Sequence, residues 1–191
     1  MNIDPFLTAT GAVAIGEIGD KTQLLTLVLA ARFPKALPIL AGIVVATLAN
    51  HAFAVALGIW GAQWLTPEVL RWVLGGSFLA LAAWALVPDK LDEDGIKLWE
   101  TAFIATVIAF FIAEIGDKTQ VATALLAAKH ADFPVQVILG STLGMVLANA
   151  PAIWLGEHLL KRIPIKLIRM TAAGLFAVLG LWMLVFGVPG L

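Results

Sequence analysis

The sequence predicts an all-α integral membrane protein with six transmembrane helices, which form two inverted three-helix repeats. Its composition is strongly apolar, since 61% of the 191 residues are hydrophobic and only 13% are charged. Soluble domains have about 45–50% apolar and about 25% charged residues. The charges are also clustered, and none occurs between Ile39 and Thr66. Finally, one seven-residue segment occurs twice without change, at 17–23 and at 114–120.

Six apolar runs are long enough to cross a bilayer, which requires roughly 20 residues. In chain order they are residues 6–31, 37–60, 70–87, 102–128, 134–157 and 168–187. The first run does not resemble a cleaved signal peptide, because no basic segment precedes it and Glu17 and Asp20 interrupt it. The chain contains no cysteine, which excludes disulfides and thiolate metal ligands. Its net charge of −1 and its lack of a basic patch give no reason to expect a nucleic-acid partner.

The repeat extends beyond the duplicated segment. Gly42 and Trp84 in the first half correspond to Gly140 and Trp182 in the second, 98 positions later. The predicted organisation is therefore a first repeat at 1–87, an acidic cytoplasmic linker at 88–100 and a second repeat at 101–191. Because each half crosses the membrane three times, the second half enters from the opposite side, and the two halves are inverted relative to each other.

The loop charges predict the orientation. We call side A the face that holds the first, third and fifth loops, and side B the opposite face. Side A carries most of the basic loop residues, namely Arg32, Lys35, Lys90, Lys97, Lys161, Arg162 and Lys166. Side B carries Lys129, with Arg71 at its edge. Basic residues concentrate in cytoplasmic loops, so side A is predicted to be cytoplasmic and both termini to lie outside.

The duplicated segment places ionisable residues in the middle of apolar spans, where they are costly and usually functional. If the two copies face each other, as half-sites of inverted repeats do, they form one site. Its charged members are Glu17, Asp20 and Lys21 from the first copy, and Glu114, Asp117 and Lys118 from the second. The i, i+3 spacing of Glu17 and Asp20 would put both on one face of a continuous helix. Four carboxylates and two charge-balancing lysines leave a formal charge of −2, which matches a divalent cation.

Other side chains near these acids offer oxygen ligands. The candidates are Gln23, Gln120, Thr22, Thr119, Asn50 and Asn149. Oxygen-only coordination suits Ca²⁺, Mg²⁺ or Mn²⁺, and only one histidine, His51, lies at membrane depth to favour zinc. The asparagines fit either a site lining or interhelical hydrogen bonds. His51 fits either a proton relay or a packed polar group.

The first span is too long for a straight helix. The segment from Pro5 to Arg32 would measure about 42 Å at 1.5 Å per residue, whereas the hydrocarbon core is about 30 Å thick. Gly16 and Gly19 flank the acids in the first copy, and Gly116 lies between them in the second. We therefore expect a tilt, bend or break at the duplicated segment, or a close helix contact there.

Both copies fit the pattern Glu-x-Gly-Asp, then Lys or Arg, then Ser or Thr. They resemble the signature of the manganese/calcium cation–proton antiporter family, which has Golgi and chloroplast members and manganese exporters in bacteria. The resemblance covers essentially the whole chain. It implies divalent cation transport, with Glu17, Asp20, Glu114 and Asp117 as the motif acids, and manganese efflux across a bacterial plasma (inner) membrane. Calcium remains an alternative substrate.

A transport hypothesis follows. Crowded carboxylates hold either one dication or protons, so rocking of the two halves around a midplane site would exchange one for the other. The expected partners are the cation, protons and the lipid bilayer, and no cofactor is expected beyond the transported ion. A channel would need the same acids. The alternatives are a membrane phosphatase acting on polyprenyl phosphates and an exporter of a small amine or amino acid. The phosphatase is disfavoured because no arginine lies mid-span to clamp a phosphate.

Overall fold

The computed structural model describes residues 4–87, 101–155 and 165–187. Within these ranges the chain forms eight α-helices and no strand, which confirms the all-α prediction. The helices are α1 (Pro5–Glu17), α2 (Lys21–Arg32), α3 (Ala36–Ala62), α4 (Pro67–Ala85), α5 (Ala102–Glu114), α6 (Lys118–Lys129), α7 (Pro134–Leu155) and α8 (Ile165–Phe186). The predicted acidic linker at 88–100 and the basic residues Lys161 and Arg162 lie outside the described residues.

Spans one and four are each divided into two shorter helices, α1 with α2 and α5 with α6. Three of the described helices are long and apolar enough to cross a membrane. They are α3, α4 and the segment Pro134–Trp154 of α7. α5 and the segment Met170–Phe186 of α8 are apolar but shorter. The apolar helices agree with an integral membrane protein, while the count of six crossings and the boundaries of the two repeats stay predictions.

Local sequence signals explain several helix starts. Asp4 caps α1, where its Oδ1 accepts a hydrogen bond of 2.9 Å from the backbone N–H of Phe6. Pro5 and Pro67 occupy the first helical positions of α1 and α4, where a missing N–H costs nothing. Thr66 and Thr101 cap α4 and α5 through their hydroxyl oxygens. Such caps satisfy backbone donors that the first turn of a helix leaves free.

The repeat is visible in how the helices pack. α3 crosses α5 at Gly42, where an added Cβ would lie 3.0 Å from the carbonyl oxygen of Phe103. α7 crosses α1 at Gly140, where an added Cβ would lie 2.4 Å from the carbonyl oxygen of Phe6. These two glycines correspond to each other, and so do the two phenylalanines. Because only glycine permits so close a backbone approach, the same crossing is built twice.

Two apolar clusters hold the helices together. The first contains residues of α1, α3, α4, α6, α7 and α8, and Phe78 and Phe176 lie at its centre with ring centroids 6.3 Å apart. The second contains residues of α1, α2, α3, α5 and α7, including Phe110 and Met145. Most ionisable residues of the duplicated segments are buried within this packing, namely Glu17, Asp20, Glu114, Asp117 and Lys118.

Candidate functional site

Each duplicated segment is a break between two helices. α1 ends at Glu17 and α2 begins at Lys21, and Gly19 between them has a φ of 77°. In the second copy Gly116 has a φ of 73°. This left-handed conformation costs other residues about 1–2 kcal/mol, which explains the glycine in the motif. The expected distortion takes the form of a break, so Glu17 and Asp20 come together across it rather than on the face of one continuous helix.

The glutamines of the motif hold these breaks in shape. The backbone N–H of Gly19 donates a hydrogen bond of 2.8 Å to Oε1 of Gln23, and Gly116 donates one of 2.7 Å to Gln120. Nε2 of Gln23 also donates to the carbonyl oxygen of Ala148 on α7, at 2.7 Å. The sequence analysis considered these amide oxygens as possible cation ligands. In the structure they accept hydrogen bonds from the backbone of the break that precedes them.

Three of the four predicted acids come together. Glu17, Asp20 and Asp117 each offer one carboxylate oxygen, and these oxygens lie within 4.8 Å of one another. All three side chains are buried. Two oxygens that bind opposite sides of one calcium ion at about 2.4 Å are about 4.8 Å apart. The spacing is therefore compatible with a single divalent cation.

The threonines of the motif bind these acids directly. Oγ1 of Thr22 donates a short hydrogen bond to Oε2 of Glu17, and Oγ1 of Thr119 donates one of 3.3 Å to Oδ2 of Asp117. Each hydroxyl therefore fixes the direction of a carboxylate while its own oxygen stays close to the acids. The threonines are thus placed beside the candidate site, and their role as ligands or lining stays a prediction.

The fourth acid lies beside this group. Glu114 is fully buried and is not one of the three acids whose oxygens lie within 4.8 Å of one another, but it interacts electrostatically with Asp117, Lys21 and Asp20. Its Oε2 lies 3.8 Å from Nε2 of His51, and Nδ1 of His51 is 2.8 Å from Oγ of Ser141 on α7. Sequence reasoning missed Ser141, because its counterpart in the first half is Ile43 and the repeat therefore gives no signal there.

The two lysines reach across the repeat. Nζ of Lys21 lies 2.8 Å from Oδ1 of Asp117, and Nζ of Lys118 lies 3.8 Å from Oδ2 of Asp20. Each half therefore supplies the positive charge that faces the aspartate of the other half. This reciprocal pairing brings the two duplicated segments into one electrostatic unit, as the prediction of a shared site requires.

Both asparagines bond to neighbouring helices. Nδ2 of Asn50 donates a hydrogen bond of 3.1 Å to the carbonyl oxygen of Phe111 on α5. Oδ1 of Asn149 accepts one of 2.8 Å from Oγ1 of Thr26, and its Nδ2 donates one of 3.0 Å to the carbonyl oxygen of Met145. The structure therefore gives these residues the interhelical role that the sequence analysis considered beside site lining.

Comparison with known proteins identifies the family. The family profile described as "Divalent cation/proton antiporter GDT1" matches residues 5–93 and, separately, residues 102–190. The chain belongs to the GDT1 family. The resemblance seen in the motifs is thereby confirmed, and the family is one of transporters rather than enzymes. Neither the phosphatase nor the amine-exporter alternative finds support.

Individual relatives agree with this assignment to the GDT1 family. A protein of Vibrio cholerae serotype O1 named "Putative manganese exporter" is 53% identical over 169 residues, which cover 88% of this chain and 84% of that protein. "GDT1-like protein 5" of Oryza sativa subsp. japonica is 24% identical over 230 aligned positions, covering 97% and 96% of the two chains. The protein of the same name in Arabidopsis thaliana is 26% identical, covering 92% and 93%. No solved structure matches the chain significantly.

Proposed function

We propose that this chain exports Mn²⁺ from the cytoplasm in exchange for protons, with Ca²⁺ as an alternative substrate. The observation that carries the proposal is the group of three buried carboxylates, Glu17, Asp20 and Asp117, with oxygens within 4.8 Å of one another in a divalent cation/proton antiporter. The choice of Mn²⁺ as the substrate rests on the name of the Vibrio cholerae relative. Carboxylate and hydroxyl oxygens suit Mn²⁺ and Ca²⁺ alike.

The charges of the site support exchange. Four acids and two lysines carry a formal charge of −2, which one dication or two protons would neutralise. The ammonium group of Lys21 lies 2.8 Å from Asp117, so it competes with a dication for that carboxylate. A dication that enters displaces the lysine ammonium groups from the aspartates, and protons that arrive from the other side of the membrane release the dication.

Glu114 completes the proposed site as the fourth acid. It lies within reach of His51 rather than among the other three carboxylates. We assign His51 and Ser141 the role of orienting Glu114, and of passing a proton to it, through the contacts of 3.8 Å and 2.8 Å. In this arrangement the first motif contributes two cation ligands, and the second contributes one ligand and one proton-accepting group.

The proposed location is the plasma membrane of a bacterium, in contact with its lipids, with side A cytoplasmic and both termini outside. The excess of basic residues in the loops of side A supports this orientation. The bacterial relative supports the choice of membrane. Export of the cation then runs from side A to side B, driven by protons that move inward.

Reconstitution into liposomes tests the proposal. External Mn²⁺ or Ca²⁺ is added while a pH-sensitive dye inside reports protons, and uptake of Mn²⁺ is expected to make the lumen alkaline. Glu17→Gln is expected to abolish both signals. Glu68→Gln, at an exposed acid on α4, is the matched control and is expected to keep them. Mn²⁺ uptake without any proton signal would mean a channel, and no flux of either ion would refute the proposal.

A further inference from the structure

The helices α4 and α8 cover only one half of the helix bundle, the half that contains α1 and α6. They pack tightly on each other, and Gly75 and Gly180 lie at their crossing, where an added Cβ on either glycine would come within about 3 Å of the other's carbonyl oxygen. We call these two helices the gate pair. Their buried side chains share one apolar cluster with α1 and α6, and among the described residues the gate pair contributes none to the second cluster. α1 begins and α6 ends on side B, so the gate pair closes the side-B half.

Exposure of corresponding residues shows the same asymmetry. Three apolar residues of α1 and α6 pack against the cluster that contains the gate pair, namely Ile15, Val121 and Leu125. Their counterparts in the repeat are Ile112, Leu24 and Val28, which are 64%, 40% and 39% exposed. Thus α5 and α2 carry a corresponding apolar face, but the gate pair does not pack against it. In inverted repeats this exposed face on α5 and α2 is structurally equivalent to the covered face on α1 and α6.

The side-A half, in contrast, contains a small pocket beside the site. Asp20, Lys118, Ala85 and Ala172 are among its lining residues, and the two alanines are only 5% and 3% exposed. Phe176 of α8 lies at the midplane, where an added Cβ on Gly16 would be 3.7 Å from its ring. From this ring towards side B, Leu74 and Met183 of the first apolar cluster are buried.

We propose that the gate pair is the moving element of transport, and that this structure is a state in which the site is closed off from side B. In the state open to side B, the gate pair leaves α1 and α6 and covers Ile112, Leu24 and Val28 on α5 and α2. Phe78 then takes the place that Phe176 holds here, because the two phenylalanines correspond in the repeat. This inference rests on the alternating access of the proposed function, and it adds which helices move and which side chains close the site.

The repeat specifies the lining of the pocket in the second state. Ala172 and Ala85 correspond to Leu74 and Met183, which are buried here, with 1% and 0% exposure. In the state open to side B, Leu74 and Met183 line the pocket beside Asp117 and Lys21. Accessibility of each corresponding pair is therefore expected to be reciprocal: one member is reachable from side A when the other is closed off from side B.

The natural chain has no cysteine, so single thiols can be introduced without a background. The variants Ala172→Cys and Leu74→Cys are expressed separately, and a membrane-impermeant maleimide is applied to either face, in intact cells and in inverted vesicles. We expect labelling of position 172 only from side A and of position 74 only from side B. Saturating Mn²⁺ or a proton gradient is expected to change the two rates in opposite directions. The ratio of the rates should change by about fivefold or more, the lower end of ligand-coupled shifts.

Two further variants serve as checks. Ala85→Cys and Met183→Cys form a second corresponding pair, in case Leu74→Cys fails to fold, and Asp132→Cys in the exposed loop between α6 and α7 is the control whose labelling should not respond. Reciprocal labelling that responds to Ca²⁺ but not to Mn²⁺ would support the gate pair and refute the proposed substrate. Labelling of both members from one side would overturn the inference. Cross-linking of Val28→Cys between two chains would also overturn it, since a second copy would then occupy the face on α2.

Discussion

The break in the second motif can be tested at a single backbone position. Gly116 has a φ of 73°, and a Cβ added there meets no atom within 4 Å. Alanine at this position therefore introduces no clash, and its cost is the left-handed backbone itself, about 1–2 kcal/mol. For a chain of this size that loss lowers the melting temperature by about 2–8 °C. We expect Gly116→Ala to show this shift, with a larger relative loss of Mn²⁺ flux, because relaxation of the break moves Glu114 away from Asp117.

Gly11 provides the matched control. It lies inside α1, and a Cβ added there also meets no atom within 4 Å. Since glycine is unfavourable within a helix, Gly11→Ala is expected to stabilise the protein by about 0.5–1 kcal/mol. Gly116→Asn should recover part of the loss, because asparagine enters the left-handed region more readily than alanine. Thermal unfolding in detergent and flux in proteoliposomes measure both effects. A Gly116→Ala protein as stable and active as the natural chain would refute the argument that the motif needs glycine for its break.

The remaining predictions concern charge and protons at the site. Asp117→Asn should weaken equilibrium binding of ⁵⁴Mn²⁺ by about 100-fold or more, since even the loss of a group that only orients a ligand costs 10–100-fold. Glu114→Gln should weaken this binding by about tenfold or less. Equal losses in the two variants would mean that both acids bind the ion. Lys21→Met should tighten Mn²⁺ binding by about tenfold, or about 1.4 kcal/mol, and slow the flux, because the competing ammonium 2.8 Å from Asp117 is gone; weaker binding would contradict the competition. His51→Ala should keep Mn²⁺ binding but change the pH profile of flux, and a profile that superimposes on that of the natural chain would leave the carboxylates as the only proton carriers.

The sequence predicted the architecture well because the features that indicate it can be read directly along the chain. Long runs without charge indicate spans, and the correspondence of Gly42 with Gly140 marks a repeat whose packing the structure repeats at both positions. The break followed from length, since one straight helix from Pro5 to Arg32 would exceed the bilayer core. What remained open was the kind of distortion, which depends on the φ of Gly19 and Gly116.

The different surroundings of the two glutamates were not predictable, because the two motifs are identical in sequence. Glu114 differs from Glu17 only through what packs around it: His51 and Ser141 have Ala150 and Ile43 as counterparts. The side chain of Glu17 is bound by Thr22 instead. Such differences arise from three-dimensional packing of α3 and α7 against α5, and no spacing rule within one motif encodes them.

The order of residues in the motif acquires a physical meaning once the break is known. Each aspartate lies at the beginning of a half-helix, where the partial positive charge of the helix dipole and free N–H groups stabilise an anion, and Oδ1 of Asp20 accepts a hydrogen bond of 2.8 Å from the N–H of Lys21. Each glutamate is the last residue of the preceding half-helix, at the negative end of the dipole. The order of residues therefore sets the aspartates, and not the glutamates, at the helix ends that attract an anion. Across the two copies, the lysine that follows each aspartate reaches the aspartate of the other copy.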